Sequence, residues 1–213
     1  PNQVEGFWVL TEQNQRMQIV LLQEKTFIPQ RSLEVPAGLQ QPEALTYDGT
    51  SLWVGGTGEG ASLYQLDPAD GRIIETYEGI STEGLTYAQG AIWYTTDKQL
   101  FKLGEAEPVM PLGLSQEHSR IGDIAIYGDK VYYISREVGR VKMKSLQSGA
   151  FLGEFNAYFY NAAIITASAN HVHLMMPGGL YCTFSDYDGT IVSDEPTGLP
   201  GVVTGYMPTQ PIQ

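Results

Sequence analysis

The chain is poor in cysteine, histidine and positive charge. One cysteine, Cys182, is present, so no internal disulfide can form. Three His leave little material for an imidazole-based zinc centre. Twelve Lys and Arg stand against 24 Asp and Glu, a formal net charge of -12. A surface of that sign repels phosphate backbones and anionic lipid, which argues against nucleic acid and membrane surfaces as partners. No stretch approaches the roughly 20 apolar residues of a membrane-spanning helix. There is no Gly-x-Ser-x-Gly elbow of the kind that presents a nucleophilic serine.

What is abundant points to short strands and tight turns. In 213 residues there are 24 Gly, 12 Pro and 13 Tyr, and 42% of residues are hydrophobic, enough for a sizeable core. The order of these residues repeats. Residues 43–54 read Glu-Ala-Leu-Thr-Tyr-Asp-Gly-Thr-Ser-Leu-Trp-Val, and residues 83–94 read Glu-Gly-Leu-Thr-Tyr-Ala-Gln-Gly-Ala-Ile-Trp-Tyr. A third copy runs over 123–133 with a turn one residue shorter, and a weaker one begins near Ala163. Trp8, Trp53, Trp93, Tyr132 and His173 follow one another at gaps of 45, 40, 39 and 41 residues. Each unit holds an apolar run, a turn, an aromatic-bearing run, a third run, a Gly-containing turn such as Asp67-Pro68-Ala69-Asp70-Gly71, and a fourth run. Four strands per unit at about forty residues, five times over, predict an all-β, five-bladed β-propeller of four-stranded blades.

The chain starts directly on a second strand, Gly6–Leu10, and ends with a spare first strand over 202–206. The C-terminal strand is therefore expected to complete the first blade, with Tyr206 in the place of Tyr47, Tyr87 and Tyr127. Residues 1–213 are expected to form one domain, with 207–213 as a loose tail. The chain begins at Pro1 rather than Met, which suits a mature fragment of an exported bacterial protein, periplasmic or secreted.

The stretch Leu63–Ile73 resembles the blade-end motif of bacterial propellers of the YVTN and PQQ-repeat type, which implies a fold and no activity. A narrower resemblance is to the plant-type glutaminyl cyclotransferases, also five-bladed. Leu45-Thr46-Tyr47-Asp48-Gly49 and Glu83-Gly84-Leu85-Thr86 match segments of that family over about two blades. Where the family carries an acid, this chain has Val54. The resemblance implies proton transfer by Glu43, Glu83 or Asp123 in a pocket at the channel mouth.

Glu43, Glu83 and Asp123 recur forty residues apart on three first strands, the strands that line a propeller's channel. Converging there, three carboxylates would suit a Ca²⁺ ion; as repeated structural residues, they would bond backbone amides on the rim. On the same loop face lie His118 and Arg120, and the aromatic stretch Tyr158-Phe159-Tyr160. Tyr158 and Tyr160 suit a sugar or protein ligand, or else inter-blade core. Asp186–Thr190 reads as a plain turn, half of a Ca²⁺ loop at most. His171 and His173 share a strand face without a further ligand nearby. Cys182 reads as a buried, inert thiol, and Gly55–Gly60 as a flexible hairpin loop. These features favour a non-enzymatic binding propeller that recognises a protein or small polar ligand at its loop face or channel mouth. A glutaminyl-cyclotransferase-like enzyme and a structural subunit of a larger assembly are the alternatives.

Overall fold

The computed structural model describes residues 6–13, 16–23, 26–113, 121–135, 139–157, 164–175, 180–196 and 203–208. They form five antiparallel four-stranded sheets and no helix. Blade one pairs β20 (Val203–Pro208), β1 (Gly6–Gln13), β2 (Arg16–Gln23) and β3 (Pro29–Glu34). Blade two is β4 (Pro42–Tyr47), β5 (Leu52–Gly56), β6 (Ser62–Leu66) and β7 (Ile73–Glu78). Blade three is β8 (Gly84–Ala88), β9 (Ala91–Thr96), β10 (Gln99–Lys102) and β11 (Met110–Pro111). Blade four is β12 (Ile121–Tyr127), β13 (Lys130–Ser135), β14 (Arg140–Ser145) and β15 (Phe151–Asn156). Blade five is β16 (Ile164–Ala167), β17 (His171–Met175), β18 (Leu180–Ser185) and β19 (Ile191–Pro196). The inner strands β4, β8, β12, β16 and β20 touch in that order, and β20 returns to β4. The chain is a five-bladed β-propeller, closed as the repeat predicts.

The core is divided among the five gaps between blades. One cluster carries Trp8 of blade one against Leu45 and Leu52 of blade two. Others set Trp53 against Leu85 and Ile92, Trp93 against Ile124 and Val131, and Tyr132 against Ile165 and Phe184. The last joins Val9 and Phe27 to Ile164 and Met175. A second strand is covered on both faces, so it reads as unbroken apolar sequence; Leu52–Gly56 is buried at every residue. The polar tips of three second-strand aromatics turn back toward the preceding hairpin, whereas Tyr132 reaches across to blade five. Trp53 Nε1 donates to Asp48 Oδ2 at 2.7 Å, Trp93 Nε1 donates to the Ala88 carbonyl at 3.0 Å, and His173 Nε2 lies 3.1 Å from Ser168 Oγ. Each partner is five residues upstream, so the aromatic repeat carries its own hydrogen-bond partner with it.

The third-to-fourth-strand hairpin is built alike in four blades. Gly71 N donates to the Asp67 carbonyl, Gly149 N to Ser145, Gly189 N to Ser185, and Phe27 N to Gln23. The donor residue is left-handed each time, with φ of 77°, 70°, 71° and 53°. Glycine adopts this conformation without a Cβ penalty. Phe27 holds it because its ring is buried and stacked on Phe7 at a centroid separation of 6.0 Å. A β-bulge follows at the same point of β3, β7, β15 and β19.

Two details differ from the sequence reading. Gly55 and Gly56 belong to β5 and are buried, not part of a flexible loop. A Cβ on Gly55 would fall 2.0 Å from Thr82 Oγ1, and one on Gly56 2.4 Å from the carbonyl oxygens of Gln40 and Gln41. Gly55 lets the segment entering blade three press against the strand, and Gly56 lets the segment entering its own blade do so. β20 also runs on to Pro208, so the expected tail from 207 contributes two residues to the sheet. Val9 faces Tyr206 and Phe7 faces Pro208, whereas Leu52, the counterpart of Phe7, faces Tyr47. Pro208 therefore holds the place expected of Tyr206. A bulge in the β1–β20 pairing and the full length of β1 set this register.

Candidate functional site

The inner strands present an edge to the channel that no further strand covers, and side chains from neighbouring inner strands supply the acceptors. Asp123 does this on both sides. It is 2% exposed; its Oδ1 accepts from Leu85 N of β8 at 3.1 Å and its Oδ2 from Ile165 N of β16 at 3.2 Å. One carboxylate thus ties blades three, four and five together. Thr46 Oγ1 of β4 likewise accepts from Tyr87 N of β8 at 3.0 Å. At Gly84 the strands come so close that a Cβ would lie 2.7 Å from the Gly122 carbonyl oxygen and 2.9 Å from Asp123 Cα.

Glu43 and Glu83 stand at the same end of the ring, in or beside the starts of β4 and β8. Both are half-buried. Glu43 Oε1 accepts from Thr57 Oγ1 at 3.2 Å, and Glu83 N donates to the Thr95 carbonyl at 2.8 Å while its Oε2 is buried. No group of three or more His, Cys, Asp or Glu placed to hold a metal ion occurs among the described residues. Asp123 bonds backbone amides, as a repeated structural residue of the rim does.

Sequence reasoning missed the hydroxyls at this end. Thr11 near the end of β1, Thr95 in β9, Ser135 at the end of β13 and Thr82 ahead of β8 are each buried to 3% exposure or less. Their hydroxyl oxygens have no hydrogen-bond partner among the described residues. All lie where second strands end and first strands begin, the loop face. The repeat was the available signal: Thr11 and Ser135 each follow the second-strand aromatic by three residues.

His118, Arg120, Tyr158 and Tyr160 lie outside the described residues. His171 and His173 do share a strand face, and their rings are 6.3 Å apart. His173 uses both nitrogens on hydroxyls, Ser168 through Nε2 and Thr183 through Nδ1, each at 3.1 Å. Burial, and then the neighbouring His171, push its pKa down to about 4. Cys182 is 1% exposed, and burial followed by the charge of Asp194 raises its thiol pKa, so it is a poor nucleophile. Asp186–Thr190 is a hairpin turn, but Asp186 itself turns inward. It is 7% exposed and accepts from Lys130 Nζ at 2.6 Å and Tyr132 Oη at 2.9 Å across the gap to blade four. Burial works to raise its pKa, and the bonds from Lys130 and Tyr132 outweigh it and hold it below the usual carboxylate value.

Comparison with known proteins supports the fold. No protein-family model matches the chain, and no curated protein matches it by sequence. Among solved structures it is similar to a chain of a nidogen/laminin complex, at 8% identity and a TM-score of 0.60, covering 96% of this chain and 99% of that one. It is similar to a protein of unknown function from Bacteroides caccae, at 8% identity and a TM-score of 0.54, covering 90% and 73%. It is also similar to the glutaminyl cyclase of Myxococcus xanthus, at 12% identity and a TM-score of 0.55, covering 72% of this chain and 69% of the other. At these identities the likeness is one of fold, and the chain stands among the β-propellers.

Proposed function

We propose that this protein is a non-catalytic binding propeller that takes a protein loop or a small polar ligand at the loop face, around the channel mouth. The buried hydroxyls of Thr11, Thr82, Thr95 and Ser135 carry this reading. A buried polar group without a partner costs about 1–3 kcal/mol, and native chains keep few of them. Four at one end of one ring suit a surface that a hydroxyl- or amide-bearing ligand completes. The test is a thermal-shift screen of sugars, polyols and short peptides against the wild type and a Thr95→Val, Ser135→Ala double variant. A ligand that stabilises the wild type and not the variant supports the reading; one that stabilises both equally places its site elsewhere. Ca²⁺ belongs in the same screen. A shift in Ca²⁺, reversed by EDTA and lost in Glu83→Gln, would assign a cation to the carboxylates, and no shift would leave them structural.

The alternative enzyme reading draws on Glu83-Gly84-Leu85-Thr86 and on the fold shared with a glutaminyl cyclase. Against it stands Val54, fully buried where that family carries an acid. Turnover of an N-terminal glutaminyl peptide, abolished by Glu83→Gln, would replace the binding reading.

A further inference from the structure

Exposed apolar side chains are confined to one position of the blade. Nine large hydrophobic residues are exposed among the described residues. All nine lie in the connection from third to fourth strand or in the first two residues of the fourth strand. The β-bulge there contributes, since it sets two residues against one and turns the extra one outward. Blade five carries the largest group. Tyr187, in its hairpin, is 92% exposed. Ile191, opposite Phe184, and Val192, the extra residue of the bulge, are exposed as well. Three large apolar side chains thus face water within six residues of chain, the kind of surface that marks an interaction site.

Charge says what this surface fits. Residues 164–196 hold Asp186, Asp188, Asp194 and Glu195 and neither Lys nor Arg, and no Lys or Arg follows Lys144 anywhere in the chain. Asp188 lies in the same hairpin as Tyr187, and Asp194 lies two residues beyond Val192; both are exposed. Asp188 Oδ1 accepts from Thr190 N at 3.0 Å. A backbone amide is neutral, so this bond favours the anion and leaves its charge in place. Asp186 is different: it is buried and matched by Lys130 of blade four. Arg140 of blade four is ion-paired with Glu154. Neither cation therefore brings an excess positive charge to the blade five hairpin. The connections at this end of blades four and five, 127–130, 145–151, 167–171 and 185–191, all lie within the described residues.

We propose that the outer hairpin of blade five docks a segment of a partner protein in which Lys or Arg alternates with large apolar residues. Its cations would meet Asp188 and Asp194, and its apolar side chains would rest on Tyr187, Ile191 and Val192. The site is independent of the loop face. It is tested by fluorescence anisotropy on the full chain with a labelled, end-capped hexapeptide alternating Lys with Leu, and with its Glu-for-Lys counterpart. The double variants Tyr187→Ser, Val192→Ser and Asp188→Asn, Asp194→Asn should each weaken the Lys peptide by about tenfold or more. Glu34→Gln with Glu59→Gln removes the same charge from exposed positions on blades one and two and should change binding by less than about twofold. Circular dichroism confirms that each variant is folded. No binding at about 1 mM Lys peptide, equal binding of the Glu peptide, or indifference to either blade five double would overturn the proposal. Equal weakening by the Glu34, Glu59 control would overturn it too, since attraction to the net charge would then suffice. A wild-type chain that runs as a dimer in size-exclusion chromatography, and as a monomer after Tyr187→Ser, Val192→Ser, would give the hairpin to a second copy instead.

Discussion

Single residues hold the ring at points the core does not reach. Asp123→Ala would leave the N–H groups of Leu85 and Ile165 buried without their acceptor. The expected loss is about 2–5 kcal/mol in urea denaturation, with a smaller loss for Asp123→Asn, which keeps one acceptor. A loss under about 0.5 kcal/mol, the ordinary range of a surface change, would refute the tie. His173 sets a pH dependence. The fold keeps its imidazole neutral, with a pKa of about 4 against 6.5 for the unfolded chain. Its contribution is therefore complete above pH 6.5 and is lost as pH falls through 4, an effect of about 3 kcal/mol. His173→Gln cannot titrate and should flatten the stability profile over that window. Identical slopes for the two proteins would remove His173 as the cause.

At the scale of elements, close approach and edge design divide the work. Gly84 sits where β8 meets β12, and the atoms a methyl would strike are backbone. Gly84→Ala should cost about 1–3 kcal/mol by forcing the inner strands apart. The outer strands behave oppositely. Ile74, Leu152 and Val192 each occupy the extra position of a β-bulge and are 47%, 50% and 56% exposed. A bulge bends an edge strand away from foreign strands, so these positions keep an edge from pairing while adding little to the core. Ile74→Asp should change stability by no more than about 0.5 kcal/mol in the same denaturation assay. A loss as large as that of Gly84→Ala would mean that the outer rim is packed against something in solution.

The whole molecule depends on one closure. β20 is the only part of blade one drawn from the far end of the chain, and it pairs with β1 from Thr11 to Phe7. Ending the chain at residue 201 should leave blade one with three strands and an open β1 edge. We expect a broadened, less cooperative urea transition and concentration-dependent self-association in size-exclusion chromatography. A truncated chain that stays monomeric with an unchanged midpoint would show that the ring is held without this strand.

The sequence by itself determined the blade number, the strand order and the shared closure of blade one. These follow from burial that repeats with the chain: a second strand covered on both faces must be apolar, and a left-handed turn residue is most cheaply glycine. Exceptions needed the fold. Phe27 takes the glycine position because rings from blades one and five hold it. The two-residue outer strand of blade three was not read from the repeat; it contains Pro111, which cannot donate to a ladder. Asp186 looked like an ordinary turn residue, and only the stacking of blades brings it to Lys130 and Tyr132, more than fifty residues away. The carboxylates at 43, 83 and 123 share a period and not a role. Asp123 lies between two edge N–H groups, whereas Glu43 meets a threonine hydroxyl. A repeat specifies what each blade needs for itself; contacts between blades depend on the neighbour, and tertiary structure decides them.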